Sequence, residues 1–289
     1  MMTPNYNSAS ALRAFLDQNG LGMRKKFGQN FLLNPGVRQA LVGALDARAG
    51  ESVWEIGPGL GAMTSLLLEH GLCVRAFEID AGFARALREM FAANAGFTLV
   101  EGDVLKTWPD APAAPYLLGN LPYNIAAALL SDLIEQGRYF DRIVVTVQRE
   151  VARRMAAAPG SADYSSFSVL CASAYRVKPL MVIKGASFYP KPNVDSQAVM
   201  LERRDDAARI RPAGLYPLVR QLFSSRRKTI KNNLTAFFAS REKGAAMAAQ
   251  AVYAAHALEK SALDGGKRAE DLRLEDFEAL AKTIEDMGI

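Results

Sequence analysis

The sequence predicts an α/β protein, a mainly parallel sheet with helices on both faces, followed by a smaller all-helical C-terminal domain. Two observations carry this expectation. From Ser52 to about Met155, short apolar runs alternate with segments of helical periodicity, the pattern of a parallel sheet wound with helices. After Arg204 the alternation stops, and helical spacing continues with no convincing strand. A chain of 289 residues can bury a large core in one or two domains, and a hydrophobic content of 50% is ordinary for a globular protein.

The elements follow in order. Asn34 before Pro35 predicts a helix start, with Asn as the cap and Pro at the first helical position. Val37, Ala40, Leu41, Ala44 and Leu45 then recur at helical spacing and give that helix one buried face. Val53-Trp54-Glu55-Ile56 reads as a strand, and Gly57-Pro58-Gly59-Leu60-Gly61 leads from it into a helical run at Thr64–Leu68. Further strands are read at Cys73–Phe77, Phe97–Glu101, Pro115–Gly119 and Arg142–Val147, with a helix from Gln148 to Ala158. Leu180–Ile183 and Gln197–Leu201 form a hairpin-like pair closing the sheet. The organisation therefore reads as two domains, a sheet domain up to 204 and a helical domain at 205–289. The boundary falls where Arg203, Arg204, Asp205, Asp206 and Pro212 cluster.

Chemistry concentrates at the ends of the predicted strands, which in open α/β sheets is where ligands bind. Gly57 and Gly59 let the backbone approach a ligand and turn into a helix N-terminus. Glu78 ends the next strand at the spacing where a ribose diol is gripped. Asp103, after Gly102, could accept from an adenine amino group, although singly it also reads as a loop acid. Gly57, Gly59 and Ala62 equally satisfy a dinucleotide fingerprint, so this loop alone leaves a nicotinamide cofactor open. The three features together favour S-adenosylmethionine. Asn120-Leu121-Pro122-Tyr123 sits where the next strand meets a helix that starts near Ile125. An amine conjugated to an aromatic base is a poor nucleophile. The Asn120 oxygen and a backbone carbonyl could accept its two N–H bonds, Pro122 stiffens the loop, and Tyr123 offers a stacking face. Alone, the tetrapeptide also reads as a plain turn.

Composition narrows the function. The longest apolar runs are too short and interrupted to span a bilayer, so no membrane role is expected. Residues Met1–Gly20 hold Arg13 and Asp17 and no apolar core, which reads as neither a secretory signal nor a transit peptide. Cys73 and Cys171 are expected to be buried thiols in a reducing cytoplasm. With His70 and His256 as the 2 histidines, His-centred catalysis and a zinc site are not expected. The net charge of +5 suits a polyanionic partner without identifying it. Arg220, Arg226, Arg227, Lys228 and Lys231 lie in a span without acids. A helix from about Arg226, capped by Ser224 or Ser225, would place these cations and its free N–H groups against a phosphate. A solvated charge run is the plainer alternative.

With these residues in view, the chain resembles the ribosomal RNA adenine dimethyltransferases, above all those of the bacterial small-subunit type. The resemblance runs from about Lys25 to the C-terminus, which sets residues 1–24 apart as an N-terminal extension and bounds the sheet domain at 25–204. It rests on Phe27-Gly28-Gln29-Asn30-Phe31-Leu32, the segments Glu55–Gly61 and Asn120–Tyr123, Phe188–Ser196, and Phe223–Thr229. It implies a Rossmann-like methyltransferase sheet with a helical RNA-docking domain. Its cofactor shell would be Gln29, Asn30, Leu32, Gly57, Gly59, Glu78, Asp103 and Asn120. The target pocket would be Asn120, Leu121, Pro122 and Tyr123, with Phe188 as a second stacking surface. Trp54 stands where the family usually has an aliphatic residue, and Lys191 interrupts its usual Pro-rich triplet. The reaction implied is metal-free dimethylation of N6 on two adjacent adenosines in the 3′-terminal hairpin loop of small-subunit ribosomal RNA. It would be carried out by a cytoplasmic monomer during subunit assembly. Methylation of DNA or of a protein glutamine, and a noncatalytic binding role, are the competing readings.

Overall fold

The computed structural model describes every residue except 25–27, 122–124, 208–210, 242–246 and 289. The chain opens with helix α1 (Ala9–Gln18), whose Ser8 cap accepts a hydrogen bond from Ala11 N. Strand β1 (Phe31–Leu32) and helix α2 (Pro35–Gly43) follow. The wound portion runs β2 (Ser52–Ile56), α3 (Ala62–Glu69), β3 (Cys73–Glu78), α4 (Ala81–Met90), β4 (Phe97–Glu101) and α5 (Val104–Thr107). It continues with β5 (Tyr116–Asn120), α6 (Ala126–Glu135), β6 (Arg142–Gln148), α7 (Arg149–Ala156) and α8 (Ser166–Ala174). Strands β7 (Tyr175–Ile183), β8 (Phe188–Tyr189) and β9 (Ser196–Arg203) come next. Helices α9 (Leu215–Phe223), α10 (Ile230–Arg241), α11 (Met247–Lys260) and α12 (Leu274–Asp286) end the chain.

Seven strands form one sheet in the order β4-β3-β2-β5-β6-β9-β7. The five from β4 to β6 are parallel, and β9 runs antiparallel between β6 and β7. Continuous apolar runs explain the parallel part, since strands covered on both faces need no alternation. Val53, Ile56, Leu117, Leu118, Val144 and Val145 are all at most 2% exposed. Strand β7 is the outer strand and carries a register shift between Pro179 and Met181. A small second sheet pairs Leu32 of β1 with Phe188 of β8.

The chain divides into two compact units, residues 1–152 with 175–204, and residues 153–174 with 205–289. The second unit thus takes in a segment that the sequence placed with the sheet. The reason is apolar: Tyr164 and Val169 join the core of Leu218, Leu234, Phe238 and Phe277, and the Tyr164 hydroxyl donates to Leu272 O at 3.1 Å. The expected N-terminal extension belongs to the first unit, where Leu12 and Leu16 pack with Leu60 and Phe83.

Asn34 caps α2 as expected, accepting from Val37 N. The buried face of that helix differs, however: Arg38, Leu41 and Val42 are buried, while Ala40 is exposed. Cys171 is buried but Cys73, the first residue of β3, is exposed, which corrects the expectation for that thiol. Trp54 is a core residue, 1% exposed, with its indole N–H donated to Pro112 O. No described helix is long and apolar enough to cross a membrane.

Candidate active site

The strand order reverses at β2, whose neighbours β3 and β5 lie on either side, so the carboxyl ends of β2, β3, β4 and β5 flank one crevice. Beside it lies a cavity of about 300 Å³ lined by residues that include Asn30, Gly57, Glu78, Asp103 and Asn120. The loop after β2 is bent by left-handed glycines. Gly59 has φ 60°, where a larger residue is strained, and a Cβ there would lie 3.1 Å from the Phe31 ring, which would have to shift by a few tenths of an ångström.

The polar groups of this crevice are held by the backbone. Glu78, 4% exposed, accepts from Gly59 N at 3.0 Å and from Asp80 N at 2.9 Å. Burial pushes its carboxyl up to about 7, against the lowering effect of those N–H groups. Beneath the glycine loop, Glu55 is fully buried and takes a 2.6 Å bond from Thr64 Oγ1, and burial likewise raises its pKa to about 7. Asp103 caps α5 by accepting from Leu105 N at 3.1 Å. Asn30 donates through Nδ2 to Gly28 O. Gln29 accepts from Arg24 N through Oε1, and its buried Nε2 has no partner. Asn120 donates through Nδ2 to Asn30 O at 2.8 Å across 90 residues of sequence. That bond fixes the amide orientation and leaves Oδ1 as an acceptor.

Gln29, Asn30, Leu32, Gly57, Gly59, Glu78, Asp103 and Asn120 are brought together around the cavity. Leu121 is 2% exposed and anchors the start of its loop by donating from its N–H to Thr146 O. Pro122 and Tyr123 lie outside the described residues. Phe188 is absent from the cavity lining: it is 4% exposed and packs in the core with Leu32 and Ala198. Its pairing with Leu32 in the small sheet turns it inward, so in this structure it offers no stacking face.

Sequence reasoning missed Tyr6, Arg38 and Asp80. Tyr6 lines the cavity and donates to Leu60 O at 2.9 Å, and burial raises its pKa to about 12. Asp80 caps α4 through Gly82 N and Phe83 N. Arg38 was detectable in principle, as a lone cation on the stripe that continues through Leu41, Val42 and Leu45.

The basic cluster of the second unit is arranged differently from expectation. Residues 224–229 form a turn before α10, and Ser224 is the C-cap of α9 rather than a helix start. Asn233 causes this, because its Nδ2 donates to Leu222 O and Ser225 O and so takes up carbonyls left free at the end of α9. The first N–H groups of α10 are also occupied: Ile230 N donates to Lys267 O and Lys231 N to Gly265 O. Phosphate contact by free helix N–H groups is therefore not available there. Arg226, Arg227, Lys228 and Lys231 are all exposed, and Arg226 pairs with Glu270 at 3.0 Å. Arg220 lies in the last turn of α9, where a cation suits the helix dipole. Among the described residues, no cluster of acids, cysteines and histidines could hold a metal.

Known proteins resemble this chain in sequence and in fold. A family model described as ribosomal RNA adenine dimethylase matches residues 20–265. The chain is 44% identical to a protein of Treponema denticola named ribosomal RNA small subunit methyltransferase A, over 97% of this chain and 96% of the other. It is 36% identical to the protein of that name from Borreliella afzelii, over 98% and 96%. Among solved structures, a dimethyladenosine transferase from Plasmodium falciparum superposes with a TM-score of 0.74 at 25% identity, covering 89% of this chain and 98% of that one. The 23S rRNA methyltransferase ErmE shares the fold, with a TM-score of 0.61 at 22% identity over 88% and 99%. The chain belongs to the ribosomal RNA adenine dimethylase family, as an α/β methyltransferase of Rossmann-like fold with a helical C-terminal part.

Proposed function

We propose that this protein transfers methyl groups from S-adenosylmethionine to N6 of two adjacent adenosines in the 3′-terminal hairpin loop of small-subunit ribosomal RNA. The observation that carries the reading is the Asn120 amide, fixed by Asn30 O so that Oδ1 is an acceptor beside the cavity at the end of β5. The cavity chemistry fits a nucleoside cofactor. Glu78 keeps lone pairs for two ribose hydroxyls, and Asp103 Oδ2 is left to accept an amino group once Oδ1 has capped α5. The buried Gln29 Nε2 is a donor still lacking an acceptor.

When bound, the cofactor supplies a sulfonium methyl group and gives up its positive charge on transfer. The protein's part is to orient and exclude water. Asn120 Oδ1 accepts one N–H of the target amine, which turns the nitrogen lone pair outward. Each N–C bond formed as the methyl leaves sulfur is matched by release of one N–H proton to solvent. After the first transfer the remaining N–H still satisfies that acceptor, and a second transfer is open to the same pocket. The adenine must leave its stack, which costs least in a hairpin loop. Arg220, Arg226, Arg227, Lys228 and Lys231 serve the RNA backbone, with Tyr123 as the stacking face in the pocket. The protein acts as a cytoplasmic monomer on an assembling small subunit.

Unmodified small-subunit particles, incubated with protein and cofactor, should yield N6,N6-dimethyladenosine at two neighbouring positions by nuclease digestion and mass spectrometry. A reaction that ends at one methyl per adenine with saturating cofactor, or leaves adenine untouched, contradicts the reading.

A further inference from the structure

Arg38 is a buried cation without a counter-ion among the described residues. It is 5% exposed and lies in the wall of the cavity. Its Nη1 donates to Leu32 O at 2.7 Å, Leu33 O at 2.8 Å and, more weakly, Tyr6 O at 3.3 Å. Its Nη2 donates to Asn7 Oδ1 at 2.6 Å, and its Nε is buried with no partner. These acceptors are neutral, and removing a full charge from water is costly unless an opposite charge meets it. Burial accordingly lowers the pKa of Arg38, opposed only by Tyr6. The same wall holds a second unpartnered donor, Gln29 Nε2. It also holds Ala62 and Met63 at the start of α3, whose N-cap is Gly61 with no side-chain bond.

A guanidinium with no counter-ion among the described residues, in the wall of a cavity that also takes in the uncapped start of α3, favours an anion in that cavity. The proposed cofactor has one such group, the carboxylate of its amino-acid end. We infer that Arg38 supplies the positive charge facing that carboxylate, with Gln29 Nε2 as an accompanying donor, so that the anion completes a wall the protein leaves electrostatically open. This rests on the S-adenosylmethionine reading of the cavity. It gives Arg38 a role in choosing cofactors that carry a carboxylate, and it joins the N-terminal segment at Tyr6 and Asn7 to the same site through one guanidinium.

Calorimetry on the full-length protein with two ligands, S-adenosylmethionine and its decarboxylated analogue, tests the inference. The parent should bind the analogue about 10- to 100-fold more weakly, the loss of one charged hydrogen-bonded contact. Arg38→Gln should weaken S-adenosylmethionine by a similar factor while changing the analogue little, and Arg38→Lys should recover part of the difference. Equal affinity of the parent for both ligands overturns the assignment without any variant. So does an Arg38→Gln protein that melts cooperatively yet loses both ligands equally, because a purely structural role predicts that. If Arg38→Gln fails to fold, the parent's ratio decides. A parent that binds neither ligand overturns the cofactor reading itself, which is a separate outcome.

Discussion

At the sheet edge, charge is buried and held in place: Glu78 is 4% and Arg38 5% exposed, and each is bonded to backbone within its own unit. In the turn at residues 224–229 the opposite holds. Arg227 and Lys228 are exposed and form no ion pair with any described residue. A small ligand is discriminated by polar groups that cannot relax, since an unmatched buried group costs its full desolvation. A polyanion is gathered by cations that stay hydrated and mobile, with the gain coming from released counterions. The two regions should therefore respond differently to the same disturbances, and the contrast can be broken experimentally.

The largest effect is expected at Asn120. If Asn120 acts on the reacting nitrogen as proposed, removing this fixed acceptor should cost about 10²- to 10³-fold in single-turnover rate, by analogy with other preorganised polar groups. Because Asn120 also holds Asn30 O, cofactor affinity should fall in Asn120→Ala, but by less than tenfold. A parental single-turnover rate would remove this residue from the chemistry.

Next comes Glu78. On the proposed role, ribose hydroxyls donating to its carboxylate would favour the ionised form, so binding should expel a proton wherever the free group is protonated. Cofactor affinity should rise as pH increases through about 7, and Glu78→Gln should abolish that rise and weaken binding by about 1–3 kcal/mol. The ligand-free protein should show the reverse sign. Glu55 and Glu78 hold protons more tightly folded than unfolded, so their contribution to stability falls as pH rises from 4.5 to about 7 and then levels off. Calorimetry in buffers of different ionisation enthalpy, and melting curves against pH, separate the two trends. A flat affinity profile in the parent would break the contrast from the cavity side.

The smallest effect is expected at the basic turn. Neutralising Arg227 and Lys228 together should lower the slope of log affinity against log salt by about 1–2 for ribosomal RNA. Cofactor affinity should be unchanged. An unaltered slope would return these cations to an ordinary solvated surface.

The parts of the site legible in the sequence were those written locally. The glycine loop, Glu78, Asp103 and Asn120 each follow a run of apolar residues, so a strand end could be assigned from neighbours alone. Arg38 and Tyr6 were hidden because their roles depend on contacts far away in sequence: Tyr6 reaches Leu60 O, and Arg38 reaches Tyr6 O and Asn7. The start of α10 differs from the sequence expectation for a related reason. Apolar spacing locates the helix, but its first turn is decided by Asn233 bonding back to Leu222 O and by the loop at Gly265 and Lys267. Phe188 lies in a recognisable motif, yet its inward direction follows from pairing with Leu32, which no local pattern announces.

The outer strand β7 has a consequence for aggregation. An open strand edge is a template on which another chain can add, and here that edge carries Leu180 and Val182 at 37% and 41% exposure. Pro179 removes one N–H from the ladder, and the register shift that follows it breaks the even spacing a newcomer would have to match. Arg176 and Lys178 place charge on the same strand, and Lys178 is held there by its ion pair with Glu202. The sheet is thereby closed to extension on this side by defects in its own backbone, and replacing Pro179 with a β-branched residue would remove one of the two.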